Sequence, residues 1–189
     1  MTTIKKCIVL NETMLSFKKP WAIAGGWSID LFLGKATRDH DDIEIIIYRT
    51  DQLVIREYLN DWNFNKVQNG IITPWKRNEI LVPPIHETYA EKGFEKIEIL
   101  LNESNAEYWI YRRDTRIQRE FNKTILTTNS GIPFLSPEIT LLYKSKNPRP
   151  KDEIDFRNIY EYMSIEQKQW LQYSLKLIYT EHPWIELLS

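Results

Sequence analysis

Cysteine is almost missing from this chain: Cys7 is the only one in 189 residues. A single thiol excludes an internal disulfide and a zinc cage of several thiolates, and it fits a reducing cytoplasm. Neither sign of charge is in surplus. Lys plus Arg number 25 and Asp plus Glu 26, a net charge of -1, whereas a chain that coats nucleic acid carries a basic excess to neutralise phosphates. Nucleic acid is therefore not the expected partner, although a local basic cleft stays open. No stretch of about eighteen successive apolar residues occurs, which excludes a membrane-spanning helix. The opening MTTIKKCIVL has no apolar run of signal-peptide length, which predicts no export. Internal repeats and low-complexity tracts are also missing. What is present is an ordinary globular composition, with 42% hydrophobic and 27% charged residues, long enough for one core and a smaller appendage. The aromatics, 13% of the chain and spread along it, are expected mostly in that core.

Periodicity predicts the elements. Residues 3 to 17 carry Ile4, Ile8, Leu15 and Phe17 as a helical stripe, with Cys7 packed in it, ending at Lys19-Pro20. Trp21 to Ala24 reads as a strand, Gly25-Gly26 as a break, and Ser28 to Leu33 as a short helix stopped by Gly34. KATRDHDD is a loop, and Ile43 to Tyr48 is a β-branched buried strand. A helix capped by Thr50 or Asp51 runs to about Asn60. Strand-like pieces follow at 62–67, 70–75, 79–82 and 96–101, then at 109–111 and around Ile125 and Phe134. From Ser136-Pro137-Glu138 the texture turns helical: one helix to about Lys146, one from Lys151 to Met163, and a last one with Ser164 and Gln167 as a capping box. The expected organisation is a sheet region over residues 1–135 and a helical region over 136–189.

The stretch WAIAGGWSIDLFLGKATRDHDDIEIIIYR, Trp21 to Arg49, concentrates the chemistry. Alternation along a strand puts Asp42 and Glu44 on one face and Ile43 and Ile45 on the other. Two carboxylates that repel each other are stabilised by a cation between them, so the pair is a natural ligand set for Mg2+, which keeps waters and takes substrate phosphates for its remaining positions. Gly25 and Gly26 would offer backbone N–H groups at a helix start to those phosphates, with Ser28 adding a hydroxyl and Arg38 and His40 a cationic loop. In EKIEILL, Ile97, Ile99 and Leu101 share a face, so Glu98 faces the other way and can serve as a third carboxylate, while Glu95 falls on the wrong face. Each piece has a plainer reading: Gly-Gly as a turn, Asp-x-Glu as a half-exposed strand, His40 as a loop hydrogen bonder. Their order and spacing favour the site, because stability alone requires no such arrangement.

The tail is more ambiguous. Lys144, with Lys146, Arg149 and Lys151, could form a basic edge over a triphosphate or favour a helix C-terminus. Asp152 and Asp155 could bind metal or cap Arg149 and Arg157. The arginines of YRRDTRIQR suit either a pocket wall or a solvated face.

GGWSID followed by TRDHDDIEI resembles the signature of the nucleotidyltransferase superfamily, and its spacing is most similar to small antibiotic nucleotidyltransferases acting on aminoglycosides at the 2'' position or on lincosamides. The match is specific over residues 21–48 and looser over 49–135, and SPEITLLYKSKNPRPKDEIDF resembles a helical element that follows the catalytic domain in related proteins. The resemblance implies an α+β fold, a nucleotidyltransferase-like mixed β-sheet flanked by helices with a C-terminal helical segment. It implies transfer of a nucleoside monophosphate, AMP from ATP, to a hydroxyl of a small molecule, with release of pyrophosphate. Carried over by position, Gly25, Gly26 and Ser28 hold phosphates, Asp42 and Glu44 hold divalent metal, and Glu98 is a third ligand or general base. The departure is Glu at the second and third acidic positions, where Asp is frequent. An acceptor carrying amines would suit a cleft rich in Glu and Tyr. The competing readings are a transferase that modifies a protein or tRNA in a toxin-antitoxin-like system, and a non-catalytic nucleotide-binding module.

Overall fold

The structure, a computed structural model, describes residues 4–189. The chain runs α1 (Lys5–Thr13), β1 (Trp21–Ile23), α2 (Gly25–Leu33), β2 (Glu44–Tyr48), a 3-10 turn (Arg49–Asp51) and α3 (Gln52–Tyr58). It continues through β3 (Asn63–Gln68), β4 (Ile71–Pro74), β5 (Glu87–Lys92), β6 (Glu95–Ser104), β7 (Tyr108–Ile110), β8 (Gln118–Glu120), α4 (Phe121–Thr124), β9 (Ile125–Thr127) and β10 (Pro133–Leu135). Four helices close it: α5 (Pro137–Lys144), α6 (Pro150–Tyr160), α7 (Ile165–Ile178) and α8 (Pro183–Leu187). The mixed sheet has the order β4-β3-β5-β6-β2-β1-β10-β9, with β7 and β8 branching from β6. β2 is parallel to β6 and β1 is parallel to β10; the other pairs are antiparallel.

β2 sits at the middle of the sheet and is covered on both sides, which explains its unbroken apolar run EIIIY. Ile45 and Ile47 pack with Ile97, Ile99 and Leu101 against α1 and α3. Ile46 and Tyr48 face the other way, into a core shared with Ile139 and Leu142 of α5, Phe156 of α6, Leu175 of α7 and Trp184 of α8. Glu44, two residues before Ile46, and Glu98, two before Leu100, therefore point toward the C-terminal helices. No helix among the described residues is long and apolar enough to cross a membrane.

Several expectations are corrected. The N-terminal helix is shorter than 3–17, and residue 3 lies outside the described residues. Its buried residues are Cys7 and Leu10, followed beyond its end by buried Met14 and Phe17, while Ile8 and Leu15 are exposed. Gly25-Gly26 is the first turn of α2 rather than a break before it. Residues 79–82 are not a strand: the Leu81 N–H donates to Gln52 Oε1 at 2.6 Å, a side-chain partner in place of a ladder. Neither Thr50 nor Asp51 caps α3 by its side chain. The Ser136 hydroxyl does not cap α5 either, because it donates to buried Glu138, which also accepts from Arg119 at 2.7 Å. The Ser164–Gln167 box forms as expected, with reciprocal bonds of 2.9 and 3.2 Å. α8 has no counterpart in the sequence reading.

Trp184 anchors that last helix. Its indole is fully buried, lies 4.5 Å from the Phe156 ring at an interplanar angle of 10°, and donates to Glu153 at 3.0 Å. Trp184→Ala should cost about 3–5 kcal/mol in urea unfolding followed by far-UV circular dichroism. A loss under about 1 kcal/mol would mean that α8 is dispensable to this core.

Candidate active site

The chain leaves β1 at Ala24, whose N–H donates to the Glu44 carbonyl at 2.8 Å, and enters α2 through Gly25 at φ +60°. That backbone suits glycine, and so does the space around it. A Cβ on Gly25 would stand 1.4 Å from Glu44 Oε2, and one on Gly26 would stand 2.3 Å from His40 Cε1 and 2.4 Å from Arg38 Nη2. The two glycines make room for three of the side chains singled out from the sequence. The first N–H groups of α2 also lack partners inside the helix, as at any helix start.

Glu44 and Glu98 stand side by side in the parallel ladder of β2 and β6. Burial raises the pKa of both. Glu44 is raised further by Asp42 against the attraction of Lys144, and Glu98, with Glu44, Glu87 and Asp42 near it, is pushed up to about 8. Asp42 thus acts on both carboxylates, although it is exposed and lines the groove beside α1 with Asp41 rather than the main cavity. Its carbonyl is fixed by Trp27 Nε1 at 2.8 Å. No three His, Cys, Asp or Glu side chains among the described residues stand in a finished metal-binding group. The donor set nevertheless fits a divalent cation: hard oxygen ligands, mutual repulsion, and two neighbouring carboxylates whose pKa a cation would pull down.

Buried aspartates fix the loop between α2 and β2. Asp30, fully buried, accepts from the Thr37 N–H at 3.0 Å, the Thr37 hydroxyl at 2.5 Å and His40 Nε2 at 2.7 Å. Burial alone would raise the Asp30 pKa; the bonds from His40 and Thr37 outweigh it and hold the carboxyl low. Asp155, also fully buried, takes Arg38 in a two-bond fork, Nε at 3.1 Å and Nη2 at 3.0 Å, and Lys144 Nζ at 2.9 Å. Lys144 bridges on to Asp152 at 2.8 Å, where Arg149 also docks. Both tail carboxylates are thus taken up by cationic side chains, Asp152 by Lys144 and Arg149 and Asp155 by Lys144 and Arg38 rather than by Arg157.

A cavity of about 450 Å³ opens over this face. Gly25, Glu44, Glu98 and Lys144 line it, as the sequence reading requires. Gly26, Ser28, Arg38 and His40 do not, and Gly26 is buried beneath the last two. Ser28 is fully buried, donating to the Gly25 carbonyl at 2.8 Å and pairing with the Thr140 hydroxyl at 2.8 Å. Arg38 and His40 lie over Gly26, committed to Asp155 and Asp30. The lining also includes His86, Glu87, Arg112, Arg113 and Tyr143. The first two sit at the entry to β5, whose alternation is carried by Thr88 and Ala90 and so gives no strong apolar signal.

A family model described as Aminoglycoside-2''-adenylyltransferase matches residues 8–159. No curated protein sequence matches. Among solved structures, the lincosamide antibiotic adenylyltransferase LnuA in its lincomycin-bound form is 20% identical, over 86% of this chain and 99% of its own, with a TM-score of 0.60. The solution structure of the antibiotic-resistance factor ANT(2'')-Ia is 16% identical, over 93% and 94%, with a TM-score of 0.61. ANT(2'')-Ia in complex with adenylyl-2''-tobramycin is 14% identical, over 92% and 99%, with a TM-score of 0.60. At these identities the structures show a shared fold.

Two glycines separate backbone strain from crowding. Gly34, at φ +68°, has nothing within 4 Å of a built Cβ, so Gly34→Ala should cost only the left-handed backbone penalty, about 1–2 kcal/mol. Gly25→Ala adds the collision with Glu44 and should be clearly more destabilising in a thermal melt; equal losses would refute the packing of Glu44 on Gly25. Glu98 gives a pH signature. Its pKa is raised from an ordinary 4.5 to about 8, so the folded chain binds the extra proton. The stability that Glu98 contributes is complete below about pH 4.5 and lost as pH rises toward 8. The melting temperature of metal-free protein should fall across that window, and Glu98→Gln should flatten the fall. Parallel profiles would show that Glu98 ionises freely.

Proposed function

The chain belongs to the aminoglycoside-2''-adenylyltransferase family and is a nucleotidyltransferase; we propose that it transfers AMP from ATP to a hydroxyl of a small molecule such as an aminoglycoside or a lincosamide, releasing pyrophosphate. The observation that carries the reading is the Glu44–Glu98 pair on adjacent parallel strands, beside a helix that starts at Gly25 and under a cavity walled by Lys144.

In this reading Asp42, Glu44 and Glu98 hold divalent metal, Mg2+ by the hardness of its oxygen donors. When bound, the metal supplies charge stabilisation on the phosphoryl group and a lowered pKa for the attacking hydroxyl. Glu98 serves as the third metal ligand or as the general base; as base it would act as the carboxylate, the form that a bound cation would favour by pulling its raised pKa down, and would then take the proton of the acceptor hydroxyl. The Gly25 and Gly26 N–H groups and the Lys144 ammonium meet the triphosphate. Ser28, Arg38 and His40 support that end from behind: Ser28 ties α2 to α5 through Thr140, and the two cations fix the loop over Gly26. Residues 1–135 then carry the carboxylates and the glycine turn, while 136–189 lay Lys144 across the same cavity. The proposed place of action is the cytoplasm, where ATP is made available to such enzymes.

With ATP, Mg2+ and a panel containing tobramycin and lincomycin, purified protein should release pyrophosphate only when a suitable acceptor is present. Asp42→Asn and Glu44→Gln should each lower the rate at least as much as loss of an outer-shell metal partner does, about 10–100-fold. Pyrophosphate release that survives both substitutions and chelation would reject the metal-carboxylate mechanism.

A further inference from the structure

Lys144 and Arg149, at the glycine end of the cavity, are already paired, whereas Lys146, an exposed lining residue, has no ion pair among the described residues. Lys144 and Arg149 share Asp152, and Lys144 and Arg38 share Asp155. The far end differs. It lies at the entry to β5, three strand positions from β1, or roughly 14 Å at ordinary strand spacing. Arg112 and Arg113 line the cavity there with His86 and Glu87, and neither arginine has an ion pair among the described residues. Arg113 is tethered through Nη1, which donates to the Tyr143 carbonyl at 3.0 Å and the Tyr111 hydroxyl at 3.3 Å.

Arg112 makes no hydrogen bond among the described residues. Its guanidinium is half-buried with its carbon 5.7 Å from the centre of the Tyr143 ring. Burial first, then the Arg113 charge, lowers its pKa, an environment that leaves the cation short of stabilising partners. His86 adds no charge to balance: burial, then Arg112 and Arg113, disfavours its protonation, and its Nδ1 donates to the Pro84 carbonyl at 2.9 Å. A partly desolvated guanidinium that faces a cavity and bonds no acceptor of the described chain is completed by an oxygen of whatever enters.

With Glu44 and Glu98 given to the metal, and Asp152 neutralised by Lys144 and Arg149, the titratable cationic, acidic and imidazole side chains left for the acceptor are Arg112, Arg113, Lys146, Glu87 and a neutral His86. Two guanidinium groups against one carboxylate repel a polyamine. We propose that Arg112 is a specificity-determining residue that donates to a carbonyl or anionic oxygen of a weakly charged acceptor and excludes polycationic acceptors. This rests on the nucleotidyltransferase reading and narrows its substrate class.

The test compares wild type, Arg112→Gln and Arg112→Glu with lincomycin, which carries one amine, and tobramycin, which carries several. The readouts are pyrophosphate release, calorimetric binding of each compound, and binding of a nonhydrolysable ATP analogue with Mg2+. Wild type should favour lincomycin over tobramycin by at least about tenfold in kcat/KM or affinity. Arg112→Gln should weaken lincomycin about tenfold with the ATP-analogue affinity unchanged, and Arg112→Glu should raise tobramycin affinity by a similar factor. Tobramycin used or bound as well as lincomycin by wild type overturns the proposal. So does tobramycin affinity that is equal in wild type and Arg112→Glu, including no binding to either. An Arg112→Gln protein that loses ATP-analogue affinity while keeping that for lincomycin assigns the guanidinium to the nucleotide instead. Failure of the nucleotidyltransferase reading looks different, since wild type then binds no ATP analogue at all.

Discussion

Two carboxylates on neighbouring strands, half removed from water, are a standing cost in this fold. The parallel pairing of β2 with β6 leaves Glu44 and Glu98 no choice of register, because a slip of one residue would turn every isoleucine of β2 out of its core. Asp42 adds to the repulsion. The surroundings relieve the strain without removing it: Lys144 attracts Glu44 from the next layer, and Gly25 yields the space in which its carboxylate rests. A stable protein has no use for such a cluster, whereas one that recruits a divalent cation does.

The second organising theme is the use of buried acids as fasteners. Asp30 and Asp155 are inaccessible, and between them they bond Thr37, Arg38 and His40, so the polar loop that precedes Asp42 and Glu44 is tied to the interior at three positions. Asp155 reaches across from α6, so the helical tail is part of the loop's support. The indole of Trp184 and the sheet residue Ile46 belong to the same core, which ties that tail to the strand bearing Glu44.

Much of this was legible in the sequence because it depends on local period. The alternation along Glu44 to Tyr48 and along Ile97 to Leu101 told that Glu44 and Glu98 face away from Ile45 and Ile99, and the capping box at Ser164 marked a true helix start; the same alternation misplaced Asp42, which precedes β2 and lines the groove beside α1 instead of sharing the cavity with Glu44. Long-range partnership was not legible. Ser28, Arg38 and His40 were the right polar types beside the glycines, but their partners Thr140, Asp155 and Asp30 lie up to 117 residues away or face inward from a helix, and no spacing rule reports that. β5 escaped notice since Thr88 and Ala90 bury too little apolar surface to mark a strand, and with it went His86 and Glu87. The glycines were read as clearance for a ligand; their missing Cβ atoms also leave room for the protein's own side chains.

The fork from Arg38 and the bond from Lys144 end on the same buried carboxylate, Asp155. Removing one member of a buried charge group leaves the others uncompensated, while exchanging all of them for apolar groups of similar volume can be nearly neutral. Positions 38, 144 and 155 therefore form one unit of inheritance. A lineage cannot drift through them singly, and divergence there is expected as a concerted replacement of the whole triad. Outward positions of the same elements, such as Asp39 and Arg157, carry no such constraint.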